Sequence, residues 1–306
     1  MGSDEGLSKA YSFLAQGDIL QARKIITDIL QYDLENPEIT FAVWCCSFWA
    51  GYMRILPNLE VSERGEGLIA HWRNFLLKLD RQKPVERTLF ALQKGIFTLA
   101  LQNFTELLDD CFPQQQTEIR RKIALCYKKL GQYETALKTL KDKNIFAERS
   151  AATLAEIADC YALCGDEKKA KVLFREAFFI DAQKVDISLL DSELICCLIR
   201  QVKKKGYTGC ALQEWIPVYG VIYGIFNVKR ELRGTEFGLL LQGIYARENE
   251  LRDPVCNTQI LTPKLINMYF WLIDHYVRTE SNSEKINEVL LRIKLLDRNI
   301  YDLYVK

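Results

Sequence analysis

A single self-offset of thirty-four residues constrains what this chain can fold into more than any other feature. Ala124, Tyr127, Gly131 and Ala136 recur as Ala158, Tyr161, Gly165 and Ala170, and Cys126 and Cys160 keep the same offset. Apolar residues at three and four spacing on both sides of each glycine predict helix, tight turn, helix: 117–130 then 133–140 in one unit, 151–164 then 167–180 in the other. A helix that stops and reverses needs a residue able to take the left-handed conformation just past its last turn, which is the work of Gly131 and Gly165. Asp166 is expected to cap the helix that follows. The alanines let paired helices approach closely, and Tyr127 and Tyr161 fill the larger gaps beside them.

A small residue, an aromatic three later, Gly-Gln-Tyr or Gly-Asp at the turn and alanine five past the glycine form a residue set that resembles the tetratricopeptide repeat family. A divergent copy stands at Ala10, Phe13, Gly17, Asp18 and Ala22, with Asn36-Pro37 opening the next helix, out of thirty-four register with the others. Two looser hairpins are expected between them. One pairs 38–54 with 63–79 across a long inserted turn. The other pairs 85–101 with 104–111, with Gly95 as its close-contact residue and Phe104 as its turn aromatic. The resemblance implies an all-α fold, a right-handed α-α superhelix of tetratricopeptide-like hairpins over residues 1–184. Past Asp181 the motif ends. Helices are expected at 188–204, 210–225, 229–250, 263–278 and 284–304, with Thr262-Pro263 and Ser283-Glu284 as helix starts. Residues 185–306 then form a helical cap or an adjoining helical domain, since a solenoid exposes an apolar face at its end unless something covers it.

Composition removes several function classes. Lysine and arginine number 41 against 40 acidic residues, and a net charge of +1 sets up no long-range field to gather nucleic acid. The basic clusters Lys203-Lys204-Lys205 and Lys229-Arg230 are short and fall near predicted helix ends, where cations complement the helix dipole. The ten cysteines sit inside apolar helical stretches such as Trp44-Cys45-Cys46-Ser47 and Ile195-Cys196-Cys197-Leu198, as buried thiols do in a reducing, cytoplasmic setting. The first twenty residues lack a basic segment followed by an apolar run, and no Ser or Thr stands at the sixth place for myristoylation, so export and acylation are not expected. The apolar runs 215–228 and 265–277 are interrupted and short of the roughly 20 residues a bilayer span needs, so no membrane insertion is expected.

No catalytic residue, cofactor or metal site is expected. His71 and His275 are far apart in sequence and sit on apolar helices, where the structural reading comes first. Asp274 beside His275 points to a different face of the same helix. Cys160 and Cys164 lie one turn apart without the further ligands a metal needs. The phosphate loop, the dinucleotide fingerprint, HExxH and the nucleophile elbow are absent from the sequence. An enzyme with an unrecognised site near His275, inside 188–306, is the second reading.

In tetratricopeptide arrays the first helices of successive repeats line the concave groove. The resemblance therefore directs attention to Arg121, Leu125, Lys128 and Lys129, then to Glu156 and Asp159, a basic wall beside an acidic one. Arg121 matches the family's carboxylate clamp for C-terminal tails, but Leu125 and Glu156 stand where that clamp has asparagines. Trp215, Tyr219 and Tyr223, with Phe226 and the four-spaced Gly220 and Gly224, form an aromatic stripe. It is either core or a contact face for a partner or a second copy of the chain. The function expected is a non-catalytic scaffold that binds a peptide or protein surface, with self-association through the C-terminal helices as a further alternative.

Overall fold

The computed structural model describes residues 3–79, 82–110, 112–142, 150–228, 232–280 and 283–306. Among them the chain forms fifteen α-helices, two short 3-10 segments and no strand, so the all-helical class read from the periodicity stands. It divides into two compact units, Met1–Glu148 and Arg149–Lys306.

The first unit holds α1 (Ser3–Ala15), α2 (Ile19–Leu30), α3 (Pro37–Ile55), α4 (Val61–Leu79), α5 (Glu86–Asp110), α6 (Pro113–Lys129) and α7 (Tyr133–Leu140). The second opens with α8 (Ala151–Leu163) and α9 (Glu167–Asp181). The three glycine turns foreseen in the sequence are built alike. Gly17, Gly131 and Gly165 have φ of 84°, 79° and 86°. In each turn the amide one residue past the glycine reaches back to the carbonyl five residues earlier: Asp18 to Phe13 at 2.9 Å, Gln132 to Tyr127 at 2.9 Å and Asp166 to Tyr161 at 2.8 Å. That closure satisfies carbonyls the ending helix would leave bare. Asp18 and Asp166 then cap the next helix, each carboxylate accepting an amide three residues on, from Gln21 at 3.0 Å and Lys169 at 3.1 Å.

Helix α3 starts under an Asn36 cap with Pro37 in its first turn. Pro37–Asn58 is long and apolar enough to cross a bilayer by length and composition. In the fold its Ile39, Ala42, Cys45, Cys46 and Trp49 are buried in the first unit. There Trp44 packs on Phe75, and Phe48 and Tyr52 pack on His71, the latter pair stacked at 4.5 Å. His71 is thus a core histidine, and burial holds its pKa below the ordinary 6.5.

The expected hairpin of 85–101 with 104–111 does not form. Helix α5 runs unbroken through Gln102-Asn103, where Asn103 donates its side-chain N–H to the Leu99 carbonyl at 2.7 Å from inside the helix. Neither residue stops a helix as a left-handed glycine does, and Phe104 is buried in α5's interior span against Gly65 of α4. Gly95 is a point of close approach, but to the end of α1 where it crosses α5, not within the expected hairpin.

The second unit continues with α10 (Glu193–Lys204), α11 (Gly209–Ile222), α12 (Gly234–Glu250), α13 (Thr258–Arg278), α14 (Ser283–Leu296) and α15 (Arg298–Val305). Several predicted edges shift: the helix expected over 188–204 begins at Glu193 and the one expected over 229–250 begins at Gly234. Helix α13 begins at Thr258 after an Asn257 cap and carries Pro263 inside, so Thr262-Pro263 is not its start. The expected 284–304 helix divides at Asp297, whose carboxylate accepts the Ile300 amide at 3.0 Å and restarts the chain as α15. The compact units divide after Glu148, whereas the repeat pattern runs on to residue 184. The reason lies on α9: Phe179 packs on Trp271 of α13 at 4.4 Å, Phe178 meets Phe226, and Arg175 pairs with Asp274 of α13. The two members of the thirty-four-residue repeat therefore belong to different units.

Candidate functional site

The residues expected to line a groove are mostly turned inward. On α6, which packs against both α5 and α7, Leu125 is 3% exposed, Lys128 2% and Lys129 6%. The Lys129 carbonyl accepts the Gln93 side chain at 2.8 Å. Arg121 is half-buried and holds Glu118 of its own helix through two bonds of 2.9 and 2.7 Å. On α8, Glu156 is half-buried and Asp159 is fully buried. Of the residues expected to form a basic and an acidic wall, only Arg121 and Glu156 keep partial exposure. A helix flanked on two sides buries two stripes, and the hydrophobic period reports only one of them.

Asp159 has a structural task instead. Its two carboxylate oxygens accept the amides of Asp191 and Ser192, both at 2.9 Å, at the entry to α10, where negative charge also meets the positive end of the helix dipole. Asp159→Ala leaves two such donors unpaired. It is expected to destabilise the second unit by about 2 kcal/mol, read as faster amide exchange at 191 and 192 and along α10. Unchanged exchange there would remove this role.

The aromatic stripe is mainly core. Trp215 and Tyr219 are each 6% exposed and pack with Tyr207, the Trp215 ring stacked on it at 4.7 Å. Phe226 folds back onto Gly220, where a Cβ would stand 2.3 Å from its ring, so that glycine serves an internal contact. Tyr223 remains partly exposed. The stripe therefore offers a partner or second copy little beyond Tyr223. Lys203-Lys204-Lys205 end α10, as foreseen, whereas Lys229-Arg230 lie outside the described residues.

His275 and Asp274 face apart. Arg175 holds the Asp274 carboxylate in the core, while His275 Nδ1 accepts the Leu232 amide at 3.3 Å and its ring stacks on Phe237 at 4.4 Å. Among the described residues no group of three or more His, Cys, Asp or Glu is arranged to hold a metal. Burial pushes the Cys46 thiol up to about 12 and those of Cys45 and Cys126 higher still, which keeps them protonated and poor nucleophiles.

What the sequence reading did not find is a groove in the second unit, a cavity of about 320 Å³ formed by α12, α13 and α14. Each helix contributes residues at least one turn apart. Leu241, Tyr245 and Glu248 come from α12, Leu272 and Tyr276 from α13, and Lys285, Glu288, Val289 and Arg292 from α14. Leu272 and Val289 make an apolar floor, both nearly fully buried. Tyr245 is 68% exposed and Leu241 39%, and Leu291 and Leu295 of α14 are also exposed. One end is a fixed polar network: Glu248 accepts the Tyr269 hydroxyl at 2.5 Å and Arg292 at 2.8 Å, and Arg292 also donates to Glu288 at 2.6 Å. Burial and the bond to Glu248 raise the Tyr269 hydroxyl well above its ordinary range, so it stays a donor. The Lys285 ammonium lies 5.8 Å from the centre of the Tyr276 ring.

A surface of this kind buries apolar side chains and fixes their register through a rim whose charges are already balanced. A signal for it existed in the sequence. Helix α12 carries two apolar stripes at four spacing, Leu240 with Ile244 and Leu241 with Tyr245; the first pair is buried and the second exposed. A helix needs one stripe to dock on its own unit, and a second marks either another neighbour or a partner. Compared with family models, with curated proteins and with solved structures, the chain matches none.

Proposed function

We propose that this chain is a non-catalytic protein-interaction scaffold of the tetratricopeptide-like kind, and that the groove of α12, α13 and α14 receives an amphipathic helix of a protein partner. The observation that carries the reading is the groove itself: a buried apolar floor, edged by the exposed Leu241 and Tyr245 on one helix and by Lys285, Glu288 and Arg292 on another. Side chains spaced by one turn on the groove's walls match the i, i+4, i+7 anchors of a helix laid between them. The recurrence of the same glycine turn in three hairpins supports the tetratricopeptide-like part of the reading. Cysteines packed as thiols with raised pKa values are in keeping with a reducing, cytoplasmic compartment.

The test uses the full chain carrying a photo-crosslinking amino acid in place of Tyr245, irradiated in cells that express it. A discrete adduct is expected, and Leu241→Glu in the same background is expected to abolish it. A charge on the groove edge should weaken binding by about 2 kcal/mol, roughly thirty-fold. Tyr32→Glu, at a still more exposed aromatic site in the first unit, is expected to leave the adduct unchanged. A diffuse set of adducts insensitive to Leu241→Glu would overturn the proposal, and an adduct of twice the chain mass would make the occupant a second copy.

A further inference from the structure

A second, smaller cavity lies elsewhere in the same unit, about 70 Å³ in volume, where the end of α9 meets α11, α12 and α13. Its charges are sorted by side. Two acids come from one pair of helices, Asp181 at the end of α9 and Glu214 on α11; two bases come from the other pair, Arg247 on α12 and Lys264 on α13. The Asn267 amide and the apolar Phe178 complete the part of the lining that matters here. Glu214 is only 2% exposed and accepts the Gln183 side chain at 2.9 Å, while Asp181 pairs with Lys184 at 3.7 Å. Arg247 donates to the Gly243 carbonyl at 3.2 Å, and among the described residues neither Arg247 nor Lys264 lies within ion-pair distance of a carboxylate.

Acids on one side and bases on the other, across a cavity with no net lining charge, select against simple ions. An anion would face Glu214 and Asp181, and a cation would face Arg247 and Lys264. A molecule with both charges close together satisfies both walls. Size narrows the class further. Roughly 10–15 Å³ of such space holds one water, so about 70 Å³ admits roughly five to seven non-hydrogen atoms, the span from glycine through alanine to serine. We infer that this cavity is a binding site for a small free α-amino acid, its ammonium held by Glu214 and Asp181 and its carboxylate by Arg247 and Lys264. Asn267 stands beside the pair as a further donor and acceptor. Gly243 lies against the lining residue Met268, since a Cβ there would lie 2.6 Å from Met268 Cε. Burial, ahead of every other influence, raises the Glu214 carboxyl above the usual carboxylate range, and an ammonium placed beside it favours the ionised form.

The cavity and the proposed protein-binding groove share α12 and α13 but no lining residue, so each can fail without the other. The test is calorimetric titration of the full chain with glycine, L-alanine and L-serine, against propionate, ethylamine and L-phenylalanine. One-to-one binding is expected for at least one of the first three. Its dissociation constant should lie between about 1 µM, near the ceiling for so few atoms, and about 1 mM. Propionate and ethylamine, each lacking one charge, are expected to bind at least tenfold more weakly, and phenylalanine not at all. Glu214→Gln preserves shape and is expected to weaken binding at least tenfold. Lys264→Gln, at a half-exposed position, gives the same readout if the buried substitution disturbs folding. No saturation at about 10 mM of the small amino acids, equal binding of propionate, or affinity unchanged in both variants would each overturn the assignment.

Discussion

Asp274→Leu is expected to destabilise the second unit by about 3–5 kcal/mol, and adding Arg175→Met is expected to return most of that loss. The two side chains are 3% and 6% exposed and form an ion pair in the core. Desolvating such a pair costs nearly what the attraction returns, so its net worth is small; removing one member, however, strands the other charge in a medium that cannot solvate it. Arg175 would be the stranded group. It also donates to the Val228 carbonyl at 2.8 Å and lies 4.7 Å above the Trp271 ring, contacts too few to replace the carboxylate. A loss of this size is a large fraction of what holds a unit folded. Because the chain has two units, a single melting curve would mix them, and amide exchange along α13 is the appropriate measurement. The double variant puts apolar atoms of similar volume where the charges stood, and exchange should fall back toward the parent rate. If the double variant is as unstable as Asp274→Leu alone, the core depends on the pair itself and the desolvation argument fails.

Such a pair leaves little trace in a sequence, and the same is true of the other features the sequence did not disclose. The glycine turns were legible because they are local: a left-handed residue, a cap one position on, and alanines at fixed offsets all fall within one hairpin. Gly95 was legible as a small residue in a helical run. The inward aim of Lys128 and Asp159 was not, since a charged residue on a helix reads as solvated until a neighbouring element supplies its partner. For Asp159 that partner is the backbone at Asp191 and Ser192, more than thirty residues away. The break expected at Gln102-Asn103 came from carrying the repeat pattern into α5, where neither residue ends a helix. The compact units divide elsewhere than the repeat pattern ends for a related reason. Repeat likeness follows turn geometry, whereas compact units follow shared buried surface, and α9 shares its surface with α13. The groove was half visible, in the second apolar stripe of α12, but that it faces solvent depends on where α14 lies.

Gly95→Ala is expected to destabilise the first unit by about 3 kcal/mol or more, although helix propensity alone favours alanine by about 1 kcal/mol. A Cβ on Gly95 would fall 1.8 Å from the Leu14 carbonyl oxygen, 2.8 Å from the Gly17 amide nitrogen and 3.0 Å from its Cα. These are backbone atoms of the turn that ends α1, and no rotamer change moves them aside. Gly17 cannot yield either, being held at positive φ with the Leu99 side chain where its own Cβ would stand. Relief therefore requires α1 to lift from α5, which uncovers Leu7, Ala10 and Leu14 and breaks the bonds of the Tyr11 hydroxyl to Glu38 at 2.6 Å and Thr88 at 2.9 Å. The hydroxyl gives a local readout: burial and the Glu38 bond hold its pKa far above the ordinary 10, and it should return toward that value as α1 detaches. Gly51→Ala is the matched control. Gly51 lies inside α3 with nothing within 4 Å of its would-be Cβ, so there the propensity term acts alone and the first unit should gain up to about 1 kcal/mol. Opposite signs for the same chemical change, at two helical glycines of one unit, are the outcome that close approach at Gly95 requires. A gain at both positions would mean that α1 does not rest on α5 at that glycine.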